Sequence, residues 1–289
     1  MSARLLDGRA LAREIADEVR TEVTALVQSG HLQPTIAVIR VGSDPASVRY
    51  ARQIEKAFLS AAMGFQLEVV PDKSDDADLA GALAASSGDP TVSGILLQFP
   101  LPPGRSREKA VDAIDPRKDV DGVTPLNAGR LFIGRGRHFV PATPLGGLEI
   151  LRRSGIAVAG RHAVVVGRSE IVGRPLAMLL LREHATVTIC HSRTVDLARF
   201  TRQADILAVA VGRPATIVGD MVAPGAVVLD FGMNVVDGQL VGDVDFASVS
   251  DVAAAITPVP GGTGPMTNAM LLSNVLEAAR WQNRPLLVG

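Results

Sequence analysis

Several short runs in this chain are almost unbroken strings of apolar and β-branched residues: TIAVIRV (35–41), GILLQFP (94–100), HAVVVG (162–167), ADILAVAVG (204–212) and AVVLDFG (226–232). A strand with one wet face alternates apolar and polar residues, whereas a strand covered on both faces does not. Between these runs lie longer stretches with helical spacing, the first over Gly8–Val27 with Leu11, Ile15, Val19, Val23 and Leu26 on one side. Buried strands alternating with amphipathic helices predict an α/β fold built on mostly parallel sheets. A second helix is expected over about 46–63, followed by the strand FQLEVV (65–70) and a helix near 78–85.

The chain has 289 residues, of which 47% are apolar, enough for two domains. From about Thr143 the grain changes to strand–turn–helix units of the dinucleotide-binding kind. The tail NAMLLSNVLEAARWQN reads as a helix and is expected to return to the first domain. The expected division is therefore 1–142 completed by 268–289, with 143–267 as the second domain.

Charge and cysteine content narrow the function class. A formal charge of −1 with no basic run gives no reason to propose nucleic acid or an anionic membrane as partner. The longest apolar runs are too short for a membrane span, and the charged start MSARLLDGRALAREIADEVR is unlike a signal peptide. Cys190 is the sole cysteine and the histidines are dispersed, so neither a disulfide framework nor a metal site is expected. The chain reads as a cytoplasmic protein.

The segment VVVGRSEIVGRP sets Gly167, Arg168, Ser169, Ile171 and Gly173 between an apolar strand and a helix. Gly167 permits a tight turn and Gly173 a helix start close to the sheet, where backbone N–H groups would face a pyrophosphate. An ordinary turn between strand and helix would use the same glycines, so the pattern alone is weak. The next strand ends in CHSRT, and this turn bears on which cofactor is used. A site for NAD usually places an acid there, whereas this chain has His191, Ser192 and Arg193. A guanidinium and hydroxyls suit a 2′-phosphate, and Arg168 could reach the same group, so NADP is favoured over NAD.

VGSDPASVRY, GILLQFPLP, KDVDG, NAGRL, PATPLGGLEIL, VVVGRSEIVGRP, DFGMN and TPVPGGTGPMT follow one another in a fixed order. Together they resemble the methylenetetrahydrofolate dehydrogenase/methenyltetrahydrofolate cyclohydrolase family over nearly the whole chain. The resemblance implies an N-terminal α/β folate-binding domain and a Rossmann-like NADP-binding domain flanking a cleft, in a homodimer. It also implies that Tyr50, the chain's only tyrosine, stacks on the folate ring, and that Asp121 accepts from the pterin amino group and ring N–H. Gln98 would support a catalytic lysine. Pro260, Gly261 and Gly262 would lie against substrate and nicotinamide, and the backbone at Met233 would meet the cofactor. Lys118 and Asp119 are expected to form a loop ion pair rather than to touch the ligand.

The chain departs from the family pattern in two places. Ala142 replaces the cysteine of PCTP, a packing change. In the family's Tyr-x-x-x-Lys, an ungapped match puts Ile54 where lysine belongs, and Lys56 stands two positions later. A competing alignment, counted back from Gly64, gives Lys56 the catalytic role but needs two extra residues inside a helix. At 3.6 residues per turn Ile54 lies about 40° from Tyr50 around the helix, and Lys56 about 120°. Hydride removal from the one-carbon bridge needs positioning but no proton transfer, whereas hydrolysis of the resulting cation needs a proton carrier such as a tuned lysine. The favoured reading is an NADP-dependent methylenetetrahydrofolate dehydrogenase with weak or absent cyclohydrolase activity. The alternatives are the ordinary bifunctional enzyme using Lys56, a folate-binding protein without catalysis, and an NADP oxidoreductase for another small substrate.

Overall fold

The computed structural model describes residues 2–282. In chain order the first elements are β1 (Arg4–Leu5), α1 (Gly8–Gln28), β2 (Thr35–Val41), α2 (Pro45–Ser60), β3 (Gly64–Val70), α3 (Asp76–Gly88), β4 (Gly94–Leu97), α4 (Arg107–Asp112) and α5 (Pro125–Ile133). There follow α6 (Ala142–Arg153), β5 (His162–Val166), α7 (Gly173–Arg182), β6 (Thr186–Cys190), α8 (Leu197–Thr201), β7 (Ile206–Val209) and β8 (Val227–Asp230). The last are β9 (Asn234–Val236), β10 (Gln239–Val241), α9 (Phe246–Ser250), β11 (Ala255–Ile256) and α10 (Thr263–Gln282).

The chain divides into two compact units, one of residues up to Arg13 with Thr143–Thr267, the other of Glu14–Ala142 with the segment from Asn268. The first residues thus belong with the dinucleotide-type unit, not with the first domain as expected. The cause is β1, which pairs in parallel with β11, Arg4 opposite Ala255 and Leu5 opposite Ile256.

The smaller sheet has the order β3–β2–β4, all parallel. Its middle strand is buried on both faces, which is why TIAVIRV shows no polar alternation. One face packs Ala37, Ile39, Val41, Ile95 and Leu97 against Leu79 and Leu83 of α3 and Ala110 of α4. The chain leaves β2 through α2 to β3 and then returns to β4 on the other side of β2. A crevice at the carboxyl ends of β2 and β4 is therefore a topological switch point, where open α/β sheets bind ligands.

The other unit carries a six-stranded sheet, β1–β11–β8–β7–β5–β6, whose interstrand pairs are all parallel. Val164, Val166, Leu207, Val209, Val228 and Ile256 form part of its core with Ile217 and Val249. Its switch point falls between β5 and β7, directly after Val166. A separate β9–β10 hairpin turns at Asp237 and Gly238, both with positive φ.

Candidate active site

In the unit with the three-stranded sheet, helix α2 begins where Asp44 accepts from the backbone N–H of Ser47 (2.8 Å) with Pro45 in the first turn. Ala51, Ile54 and Phe58 form its buried stripe, and Ile54 is 0% exposed. Tyr50, beside that stripe, is partly buried. Burial raises its phenol pKa well above the usual value, and the nearby Asp121 carboxylate adds to the rise. Lys56 lies on the exposed side of α2, where Arg52, Glu55, Leu59 and Ser60 line an open surface depression with it. The helix is continuous through this stretch, so Lys56 shares neither the stripe of Ile54 nor the side of Tyr50.

Gln98 follows β4 and is 5% exposed. Its Nε2 donates to the Ser47 carbonyl (3.3 Å), while its buried Oε1 has no hydrogen-bond partner.

The KDVDG loop is organised by Asp119. Its carboxylate accepts from the backbone N–H of Val123 (3.0 Å) and Thr124 (2.8 Å), the Thr124 hydroxyl (2.6 Å) and Asn127 Nδ2 (2.8 Å). Lys118 instead donates to the Asp89 carbonyl (2.6 Å), and burial lowers its pKa. The expected Lys118–Asp119 ion pair is thus replaced by separate partners, because each charge is buried and the loop backbone lies nearer. Asp121, set beyond this buttress, accepts from the Ala142 N–H (3.0 Å). It keeps an accessible edge, yet desolvation pushes its pKa up to about 7. The Ala142 N–H and the Arg107 charge oppose that rise, and Asp119 reinforces it. An acid with an accessible edge and so little compensation is suited to a ligand that donates hydrogen bonds.

In the dinucleotide-type unit, Gly167 has φ +133° and a Cβ there would lie 2.2 Å from the Ala210 carbonyl oxygen. A Cβ on Gly173 would lie 2.3 Å from the Gly167 carbonyl oxygen, so α7 starts against the turn itself. The Ser169 hydroxyl accepts from the N–H groups of Val172 and Gly173 (3.2 Å each). Those two donors, expected from the sequence to face a pyrophosphate, are therefore satisfied within the loop. Arg168 is exposed and Ile171 half-buried. After β6, the turn closes with the His191 N–H donating to Thr194 Oγ1 (2.8 Å) and the Arg193 N–H to His191 Nδ1 (3.1 Å), leaving Ser192 and Arg193 exposed. β5 and β6 are neighbours, so Arg168 and Arg193 follow adjacent strand ends.

Asp230, ending β8, fixes the DFGMN turn by accepting from the N–H groups of Gly232, Asp243 and Val244 (2.8, 3.0 and 3.0 Å). Burial still pushes its pKa up to about 6. Met233 in that turn is 70% exposed. Pro260 is exposed, whereas Gly261 and Gly262 are buried, Gly261 with φ +118°. A Cβ on Gly262 would lie 2.6 Å from the Pro258 carbonyl oxygen.

The structure brings Tyr50 and Asp121 close enough to interact and ties Gln98 to the same helix. Sequence reasoning missed Thr124, Asn127 and Arg107, and it missed Asn274, whose Nδ2 donates to the carbonyls of Val120 (2.7 Å) and Val140 (3.0 Å). A threonine and an asparagine within eight residues of an aspartate were a readable capping signal.

Residues 6–121 match the catalytic domain, and residues 141–283 the NAD(P)-binding domain, of tetrahydrofolate dehydrogenase/cyclohydrolase. The chain belongs to the tetrahydrofolate dehydrogenase/cyclohydrolase family. Among its relatives, the bifunctional protein FolD of Roseiflexus sp. (strain RS-1) is 54% identical over 98% of each chain. A solved structure of the Campylobacter jejuni bifunctional methylenetetrahydrofolate dehydrogenase/cyclohydrolase superposes with a TM-score of 0.95 at 40% identity, covering 96% of this chain and 99% of that one. The Trypanosoma brucei dehydrogenase–cyclohydrolase, solved with NADP cofactor and an inhibitor, gives a TM-score of 0.94 at 35% identity, covering 99% and 100%. The family's two domain models divide the chain near Ala142, which also separates the two compact units. Among the described residues no helix is long and apolar enough to cross a membrane.

Proposed function

We propose that this chain oxidises 5,10-methylenetetrahydrofolate to 5,10-methenyltetrahydrofolate with NADP+, and that hydrolysis of the product to 10-formyltetrahydrofolate is weak or absent. Family membership and the NADP-complexed relative support the first step. The observation that carries the second is Ile54, an apolar side chain sealed under α2 where an ungapped match to the family expects an amine.

Asp121, once ionised, accepts from the pterin amino group and ring N–H and orients the heterocycle, while Tyr50 covers its face. NADP+, when bound, would supply the hydride acceptor. Gly167 and Gly173 provide a cradle that any side chain would fill, and Arg168 and Arg193 are free to grip a 2′-phosphate. Oxidation leaves a positive charge shared by two nitrogens and moves no proton, so these groups need only hold the substrate. Hydrolysis must remove a proton from water and deliver one to nitrogen. Isoleucine does neither, and its burial contributes roughly 1.5–3 kcal/mol to packing instead. A homodimer working in the cytoplasm is part of the same proposal and rests on the family resemblance.

The names of the relatives favour a second reading, in which both steps run. Following methenyltetrahydrofolate absorbance with and without enzyme separates the two. Decay at the buffer rate is expected, and decay accelerated many-fold by enzyme would establish the bifunctional reading.

A further inference from the structure

The switch point of the smaller sheet holds a second polar residue besides Gln98. Ile39 pairs with Leu97, and the Gln98 N–H donates to the Ile39 carbonyl (2.9 Å), so Arg40 and Gln98 come next in register. Neighbouring strands lie about 4.8 Å apart, and side chains in register share a face. Ile39 and Leu97 point into the core beneath α3, so Arg40 and Gln98 point the other way. The Gln98 hydrogen bond to Ser47 marks that face as the one under α2. Ser47, Ala51, Ile54 and Phe58 follow at helical spacing, so the stripe carrying Ile54 runs over it.

Arg40 is 8% exposed. One of its terminal nitrogens donates to the Gly42 carbonyl, and among the described residues no carboxylate forms an ion pair with it. Its Nε, a donor, has no partner, and neither does Gln98 Oε1, an acceptor. A buried guanidinium without an acid is costly, and each orphan atom adds the desolvation of its own group. A single group that accepts from Nε–H and donates to Oε1 would satisfy both, and water is the smallest that does so.

We propose that Arg40 is a positioning residue of the folate pocket. Through one bridging water it holds the Gln98 carboxamide, so that the cation beside Gln98 comes from the sheet while the helix presents isoleucine. This rests on the reading of Gln98 and Ile54 given above.

A double-mutant cycle of Arg40→Met and Gln98→Ala in the full-length enzyme tests it. Arg40→Met should raise KM for methylenetetrahydrofolate about ten-fold, equivalent to about 1.4 kcal/mol, and leave KM for NADP+ unchanged. Adding it to Gln98→Ala should cost nothing more, because the two act as one unit. Its melting temperature should equal or exceed the parent's, since methionine removes an uncompensated buried charge. Arg40→Lys should recover part of the folate KM. Should Arg40→Met fold poorly, Arg40→Gln serves in its place. An unchanged folate KM, additive effects, or a folate KM that rises only together with a falling melting temperature would overturn the proposal. Calorimetric titration with tetrahydrofolate gives the same cycle without turnover. A parent lacking dehydrogenase activity but showing that coupling would sink the proposed function alone.

Discussion

Each of the two units has a strand-order reversal, and they furnish it in opposite ways. Between β5 and β7 the crevice is made of backbone, with Gly167 and Gly173 so close to carbonyl oxygens that no Cβ fits. Between β2 and β4 the same position carries buried polar side chains, Arg40 and Gln98, each with an unmet hydrogen-bonding atom. The first crevice gains its shape from missing atoms, the second its chemistry from polar groups held away from water. A single added methyl should therefore ruin one, whereas the other should respond to changes of charge and pH.

The largest effect should follow Gly173→Ala. The new Cβ collides with fixed backbone at Gly167 and Arg168, an overpacking cost of about 1–3 kcal/mol. NADP+ affinity measured by calorimetry should fall about a hundred-fold, roughly 2.7 kcal/mol. Undiminished affinity would break the contrast.

Next comes Asp121→Asn, expected to raise folate KM about ten-fold, or roughly 1.4 kcal/mol. Only the ionised carboxylate accepts both pterin donors, and its pKa stands at about 7. In the parent, kcat/KM for folate should climb with pH up to about 7 and then level, and the Asn variant should lose that limb. The same raised pKa sets a stability trend. The folded state keeps this proton after the unfolded chain has released it near the ordinary value of 3.8. Stability present below that value is lost as pH rises through about 7, and Asp121→Asn should flatten the decline in urea titrations at successive pH values.

Arg193→Ala touches an exposed side chain and should be milder, raising KM for NADP+ several-fold, up to about ten-fold or 1.4 kcal/mol, with KM for NAD+ unmoved. Equal changes for both cofactors would remove Arg193 from the 2′-phosphate site. The smallest effect belongs to Lys56→Ala. On an exposed helix side it should change neither activity by as much as two-fold and shift stability by no more than about 0.5 kcal/mol. Loss of methenyltetrahydrofolate hydrolysis in that variant would return the lysine to the catalytic centre.

Much of this was legible because two-sided burial leaves a mark in sequence. TIAVIRV and HAVVVG read as strands because their residues are almost all apolar and buried on both faces, and Arg40 escaped notice as a lone cation inside such a run. The glycines of the cofactor loop were readable for a related reason, since only they tolerate the approach. β1 was not legible: Arg4–Leu5 has no strand pattern of its own and exists only because β11 offers an edge. The β9–β10 hairpin was missed although Asp-Gly between two apolar runs is a turn signal. The pairing choices of Lys118 and Asp119 depend on which carbonyls and amides the fold brings near, and adjacency in sequence misled.

The pairing of Arg4–Leu5 with Ala255–Ile256 has a consequence for biosynthesis. The chain's first strand emerges from the ribosome long before its partner. At roughly 5–20 residues per second, it waits on the order of ten to fifty seconds for that partner to be translated. The nucleotide sheet cannot gain its outer rung before Ala255 and Ile256 are made, so β1 stays without its partner strand for the whole of that interval.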